Sequence, residues 1–111
     1  MAAPTTKIRA GAGNAKILPV WDGRSLWLGR KLVKRFGQPA TSQTLILAAF
    51  QEQGWASRID DPLPGGDNVD PRERLKEAVR GLNRFQKNRL IRFFRDGTGK
   101  GVMWELIDAK D

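Results

Sequence analysis

The sequence DPRERLKEAVRGLNRFQ, residues Asp70–Gln86, carries the strongest helix pattern in the chain. Asp70 can accept the first free backbone N–H groups of a helix, and Pro71 suits the first helical position, where no N–H is needed. Residues that suit a buried face recur at spacings of three and four, namely Leu75, Ala78, Val79, Leu82 and Gln86. The opposite side carries a row of cations, namely Lys76, Arg80, Arg84 and Lys87. The pattern predicts an amphipathic helix over about residues 71–87, with one buried face and one cationic face.

The next stretch, LIRFFRDGTGKGVMWELI, predicts two strands, Leu90–Phe94 and Val102–Ile107, joined by a glycine-rich turn. Apolar residues alternate along both strands, with Arg92 and Glu105 among those facing the other way. Asp96-Gly97 is a strong hairpin signal, and the following glycines predict a mobile tip. Arg95 and Lys100 add positive charge near this tip.

The composition favours a polyanionic partner. The chain has 111 residues, which fits one domain, and its 20 lysines and arginines exceed its 12 acidic residues to give a net charge of +8. An excess of this size makes nucleic acid the first partner to consider, whereas solubility alone would not favour one sign so strongly.

Several function classes are excluded by residues that the chain lacks. It has no cysteine and no histidine, so it offers no thiolate ligand and lacks the commonest general base and metal ligand. We therefore expect a protein that is not an enzyme and that uses no cofactor, metal or small-molecule substrate. No run of about 18 apolar residues and no signal-peptide core is present, which predicts a cytoplasmic protein without a membrane partner, nucleoid-associated if it binds DNA.

The first half of the chain predicts a tail, a hairpin and a helix. Residues 1–18 are expected to form a flexible basic tail, and residues 19–108 the folded domain. Ser25–Leu28 and Lys31–Phe36 predict a hairpin that turns at Gly29, after a turn at Trp21-Asp22-Gly23. A helix over Leu26–Phe36 is the alternative, because a single glycine does not exclude it.

The stretch SQTLILAAFQEQGW predicts a helix capped by Thr41 or Ser42 and ended by Gly54. Its buried stripe is predicted to consist of Leu45, Ile46, Ala49 and Phe50. Trp55, after the glycine, is expected to fold back onto the core.

The segment Ala56–Val69 is the acidic part of a basic chain, and it is predicted to be a loop with one short helical turn within Ser57–Leu63. Its aspartates at 60, 61 and 67, together with Asp70, could bind Mg²⁺ in a small nuclease. The simpler interpretation is that Asp70 caps a helix and the others solvate a loop. The loop at residues 60–70 is also a possible contact for a protein partner, because DNA would repel it.

Two further motifs are interpreted as structural. GTGKG at Gly97–Gly101 lacks the first glycine and the final Ser or Thr of a phosphate-binding loop, so a tight charged hairpin tip explains it better. The aromatic residues Trp27, Phe93, Phe94 and Trp104 could stack on bases, as in single-strand binders, but in so small a domain they are predicted to be core. Phe94 and Trp27 fit that prediction least well, because each alternates out of phase with its neighbours.

The order of hairpin, helix, short turn and loop, basic helix and hairpin resembles a winged helix-turn-helix, an α+β fold. It is most similar to the DNA-binding domain of OmpR-type response regulators, over about Ser25–Leu106. The resemblance rests on the Thr41–Gly54 helix, the Ser57–Leu63 segment, the basic helix ending in RGLNR and the closing hairpin. No receiver domain precedes it in this sequence, so no phosphorylation switch is expected.

In that family the third helix enters the major groove and the C-terminal hairpin, or wing, contacts the backbone or the neighbouring minor groove. The resemblance implies a helix that meets DNA through Arg72, Lys76, Arg80, Asn83, Arg84 and Lys87. It implies a wing that uses Arg92, Arg95 and Lys100.

We therefore expect double-stranded DNA binding, for transcriptional regulation or DNA organisation. RNA is an open alternative. A second alternative is a winged-helix protein-interaction module that docks an acidic partner and binds no DNA. One continuous cationic band would favour DNA, whereas cations scattered over several faces would favour the protein partner.

Overall fold

A computed structural model describes residues 17–66 and 68–107. Within these ranges the chain forms an α+β fold with two helices and two three-stranded antiparallel sheets. The elements in chain order are β1 Pro19–Trp21, β2 Ser25–Leu28, β3 Lys31–Arg35, α1 Thr41–Glu52, β4 Arg58–Asp60, α2 Pro71–Asn83, β5 Ile91–Arg95 and β6 Gly101–Leu106. Most of the predicted basic tail, Asp67 and the C-terminal residues from 108 lie outside the described residues.

The N-terminal sheet has the strand order β1-β2-β3. The predicted hairpin is confirmed: β2 and β3 pair from Leu28 opposite Lys31, around a turn in which Gly29 has a φ of +63°. The alternative helix over Leu26–Phe36 is wrong. β1 was not predicted, and Trp21 lies within this strand, opposite Leu26, before the turn begins.

Helix α1 ends as predicted but begins and packs differently. Its N-cap is Ala40, without a side-chain cap, so the predicted cap at Thr41 or Ser42 is wrong. At the other end Gly54 has a φ of +68°, and the Trp55 N–H donates to the Phe50 carbonyl at 2.7 Å, which closes the helix. Trp55 is buried and stacks on Phe50 with ring centroids 5.0 Å apart, as expected.

The buried stripe of α1 consists of Ile46, Leu47 and Phe50. Leu45, which was predicted to be buried, is exposed, and Ala49 is only partly buried. Because the whole run from Leu45 to Phe50 is apolar, its pattern does not fix which side of the helix turns inward.

The segment predicted to contain a short helical turn is strand β4. Ile59 is buried opposite Val102, while its neighbours Arg58 and Asp60 are exposed, which is the period-two alternation of a strand. β4 is the third strand of the C-terminal sheet, whose order is β4-β6-β5.

Helix α2 begins as predicted, with the Asp70 carboxylate accepting from the Arg72 N–H at 3.0 Å. The predicted apolar stripe is buried, namely Leu75, Ala78, Val79 and Leu82. The helix ends at Asn83, so its predicted extension to residue 87 is wrong. Beyond it, the Lys87 N–H pairs with the Val33 carbonyl of β3, which draws the chain away from the helix axis.

The C-terminal hairpin is confirmed with its strands displaced by about one residue, Phe93 lying opposite Trp104. Both side chains are buried with Trp55, whose ring meets that of Trp104 edge-on at 5.5 Å. The prediction that these two aromatics are core is therefore confirmed, whereas Phe94 and Trp27 are half-buried.

Two absences apply to the described ranges. No helix in them is long and apolar enough to cross a membrane. No group of three or more acidic side chains in them is arranged to hold a metal ion.

Candidate nucleic-acid interface

An open cleft of about 630 Å³ lies between α2 and the β5–β6 hairpin, and we call it the α2–hairpin cleft. Helix α2 contributes Arg72, Lys76 and Arg80 to one wall, and the hairpin contributes Arg95 and the loop at 97–99 to the other. Asn83 lies at the end of the helical wall. The structure thus brings together five of the nine residues that the sequence predicted to bind DNA.

The positive charge of this cleft is only weakly neutralised from within. Lys76 lies 3.8 Å from Glu73, and Arg80 lies 3.7 Å from Glu77. These are exposed helical pairs, each worth only a few tenths of a kcal/mol. Within the described residues, Arg72 and Arg95 have no carboxylate within 4.0 Å.

The loop of the β5–β6 hairpin is held by the Asp96 carboxylate. One oxygen accepts from the Thr98 backbone N–H at 2.9 Å and from the Thr98 hydroxyl at 2.7 Å, and the other accepts from the Arg58 guanidinium at 2.6 Å. The hydrogen bonds from Thr98 and Arg58 hold the pKa of Asp96 well below its ordinary value of 3.8. The Asp96 carboxylate is therefore favoured in its charged form, and it links the loop to Arg58 of β4.

Gly99 of this loop and Gly101, the first residue of β6, allow close approaches by arginine side chains. A β-carbon on Gly99, whose φ is +82°, would lie 2.8 Å from Nε of Arg72, so the Arg72 side chain rests against the loop. A β-carbon on Gly101 would clash with the guanidinium of Arg58, which crosses this position to reach Asp96. Packing, rather than phosphate binding, therefore accounts for these glycines of GTGKG.

Asn83 has a structural partner. Its side-chain amide accepts from the Phe93 N–H at 2.8 Å and donates to the Phe93 carbonyl at 2.9 Å, so it occupies the free edge of β5 as a neighbouring strand would. Gln86 continues this pairing by donating to the Ile91 carbonyl at 2.9 Å. The alternation of an antiparallel ladder directs the backbone N–H of Arg95 to this same edge, next to the cleft.

The other four predicted residues lie outside the cleft. Arg84 and Lys87 are exposed just beyond the end of α2. Arg92 lies 2.6 Å from Glu105 and 4.5 Å above the ring of Phe94, on the outer face of the sheet. Lys100 is exposed at the end of the loop, where its carbonyl accepts from the Asp61 N–H.

The described acidic side chains between residues 60 and 70 have partners inside the molecule. Asp60 pairs with Arg58 at 2.8 Å, and Asp61 accepts from the Leu63 N–H at 2.8 Å. Asp70 caps α2, as described above. These contacts give the three carboxylates structural roles.

Sequence reasoning missed the role of Lys34 on β3. Its ammonium is buried and donates to the carbonyls of Gly81 at 2.6 Å and Arg84 at 2.8 Å, so it caps the C-terminal end of α2. Burial, with a smaller contribution from the charge of Arg84, lowers the pKa of Lys34 below its ordinary value of 10.5. Its place in the alternation of β3 gives no warning of this contact, because the helix end lies 47 residues away.

Sequence reasoning also missed Phe85. It lies two residues beyond the last residue of α2, has a φ of +56°, and is 88% exposed. The sequence predicted that Phe85 lies within the helix, so neither its positive φ nor its exposure was expected.

A second group of cations lies on the N-terminal sheet. It consists of the exposed residues Arg24, Arg30, Lys31 and Arg35. The positive charge of the described residues is therefore spread over more than one face, which by the criterion given above favours a protein partner. In the cleft, by contrast, cations from a helix and a hairpin face one another, as a DNA-binding surface requires.

Comparisons with protein-family models, with curated proteins and with solved structures gave no match to this chain.

Proposed function

We propose that this protein binds double-stranded DNA through the α2–hairpin cleft and the outer side of α2, in the manner of a winged-helix domain. One observation carries the proposal: cations from α2 and from the β5–β6 hairpin face each other across an open cleft, and no carboxylate among residues 17–66 and 68–107 pairs with Arg72 or Arg95. Such a concave cationic surface suits the convex, regularly charged phosphate backbone of a duplex.

The dimensions of α2 agree with this proposal. From Arg72 to Arg80 the helix advances about 12 Å, so its cationic side can follow several consecutive phosphates or base edges. With its side chains, a helix of about 10–12 Å diameter fits a major groove about 12 Å wide. The resemblance to a winged helix lies in α2 and the hairpin beside it; β4 stands where a second helix was expected.

We assign Lys76 and Arg80 to base edges, and Arg72 and Arg95 to phosphates, with the Arg95 N–H as a further donor. Asn83 positions β5 rather than reading a base, because its amide is paired with Phe93.

The test is fluorescence anisotropy of a labelled random duplex of about 20 base pairs at several salt concentrations. In the variant Arg72→Gln/Arg95→Gln, which removes both proposed phosphate contacts, we expect the slope of log K against log salt to fall by about two, and the affinity near 0.1 M salt to fall roughly 10- to 100-fold. The matched control is Arg30→Gln/Lys31→Gln, which removes the same charge from the turn of the other hairpin. This control is expected to change the affinity by less than about threefold.

Equal losses in the two variants would show that net charge, and not the cleft, attracts DNA. Failure of the unmodified protein to bind duplex at low salt would refute the proposal and direct attention to an acidic protein partner. Competition by duplex RNA, whose deep and narrow major groove does not admit a helix, distinguishes the two nucleic acids.

A further inference from the structure

Phe85 is set apart from the other phenylalanines of the chain. Phe50 and Phe93 are buried, and Phe36 and Phe94 are half-buried, whereas Phe85 is 88% exposed. Its packing therefore contributes little to the fold. Its backbone is nevertheless held at a φ of +56°, a region that bulky L-residues rarely adopt and that glycine or asparagine usually occupies after a helix.

The backbone on either side of Phe85 is anchored. Before it, the Arg84 carbonyl accepts from the buried Lys34 ammonium at 2.8 Å. After it, the Lys87 backbone N–H donates to the Val33 carbonyl at 2.8 Å, and the Gln86 side-chain amide donates to the Leu82 and Ile91 carbonyls at 3.0 and 2.9 Å. The residues on both sides of Phe85 are thus held in place by hydrogen bonds. Because Phe85 has an unfavourable φ and its side chain is not buried, we look for its function outside the fold.

The surroundings of the ring favour nucleic acid over an apolar protein surface. Arg84, Lys87 and Arg89 are all exposed within four residues of Phe85, so the ring does not belong to an apolar run of the chain. A ring that lies flat on a surface offers one face for stacking. A ring exposed to this degree offers both faces and can enter a space bounded on two sides by bases.

We propose that Phe85 inserts between adjacent base pairs of the bound duplex and kinks it, while Arg84 and Lys87 contact the phosphates on either side. Apolar side chains used in this way unstack a base step and bend the helix axis. This inference rests on the proposed DNA binding. It adds an inserted side chain, the Phe85 wedge, beyond the C-terminal end of α2, whereas Arg72 lies at the N-terminal end.

The experiment measures the distance between the ends of a doubly labelled duplex by energy transfer, together with affinity by anisotropy. The unmodified protein is expected to shorten the end-to-end distance. Phe85→Ala should abolish this shortening and weaken binding roughly tenfold, with the salt slope unchanged because no charge is lost. Phe85→Leu should retain most of the bend, since an aliphatic wedge also separates bases.

Leu45→Ala, on α1, is the matched control, because it removes another exposed apolar side chain away from the cleft. It should leave both the bend and the affinity unchanged. Thermal melting of every variant checks that the fold is retained.

The outcomes separate the wedge from the DNA binding on which it rests. Tight duplex binding with equal bending by the unmodified protein and Phe85→Ala would overturn the wedge and leave the proposed function standing. Loss of the bend in both Phe85→Ala and Phe85→Leu would indicate one-sided stacking and would also overturn it. No duplex binding by the unmodified protein would remove the proposed function itself.

Discussion

The two hairpins of this protein, β2–β3 and β5–β6, are both antiparallel and both rich in cations, yet their surroundings differ. The first turns through the two residues Gly29 and Arg30 and exposes Arg30 and Lys31 at its tip. The second has a five-residue loop, Asp96–Lys100, which is tied to β4 and lies against Arg72 of α2. Charge is thus common to both hairpins, but the second places it opposite the charges of a helix.

The edge strands β3 and β5 show the same division of roles. β3 sends Val33 into the core and Lys34 to the end of α2, so the first hairpin holds the helix in place. β5 receives the Asn83 amide along its free edge, so the second hairpin is aligned by the helix. The first hairpin therefore supports the end of α2, whereas the second lines a cleft together with it.

The largest loss of stability is expected from Lys34→Met, which removes the contact between β3 and the C-terminal end of α2. The substitution keeps most of the apolar length of the side chain but leaves the Gly81 and Arg84 carbonyls without their charged donor. Hydrogen bonds to charged groups contribute about 1.5–3 kcal/mol, so we expect the free energy of unfolding to fall by about 2–3 kcal/mol in urea titrations.

Lys31→Met is the control for this prediction, because Lys31 is exposed on the same strand. Its free energy of unfolding should change by less than about 0.5 kcal/mol. Similar values for the two variants would show that Lys34 does not support the helix.

A smaller effect is expected from Asn83→Ala, which removes the link between α2 and β5. The Phe93 N–H and carbonyl lose their partners, and we expect a loss of about 1–2 kcal/mol in the free energy of unfolding. Asn83→Asp should retain the acceptor for the Phe93 N–H but set a carboxylate oxygen against the Phe93 carbonyl, so it should not restore the stability of the unmodified protein. A changed base preference in Asn83→Ala without any loss of stability would restore the base contact that the sequence predicted.

The smallest effect is a dependence of stability on alkaline pH. Because burial lowers the pKa of Lys34 in the folded protein, the unfolded chain holds more protons between that lowered pKa and 10.5. The contribution of Lys34 to the free energy of unfolding should therefore rise with pH across this window. The neutral amine still has two hydrogens for its two carbonyl partners, so the contact should survive deprotonation.

The measurement compares urea midpoints of the unmodified protein and Lys34→Met from pH 8 to 10.5, since the difference cancels the other titrating groups. A difference that stays constant across the window would contradict this assignment.

The sequence predicts α2 and the β5–β6 hairpin well because their signals are local. The Asp70 cap, the stripe of Leu75 and Val79 and the turn at Asp96-Gly97 each depend on residues a few positions apart. By contrast, β4 is only three residues long and takes its partner more than 40 residues away, so no local pattern identifies it.

The sequence was sufficient to identify the charged residues of the candidate site, but not the cleft in which they lie. Arg72, Lys76, Arg80 and Arg95 could be identified as exposed cations, but the cleft that they line exists only once the hairpin packs beside α2. The end of α2 was misplaced because the ammonium of Lys34, which caps it, comes from another sheet. The exposure of Phe85 was missed for the same reason, because the predicted helix continued through this residue to position 87.

The tied loop of the second hairpin bears on how fast a complex would form. Asp96 joins Thr98 and Arg58, so the loop is already ordered before any ligand arrives. A ligand that meets an ordered surface need not wait for a conformational step, and less entropy is lost when it binds. If the cleft binds DNA, its association rate should be set by diffusion in the field of the surrounding cations.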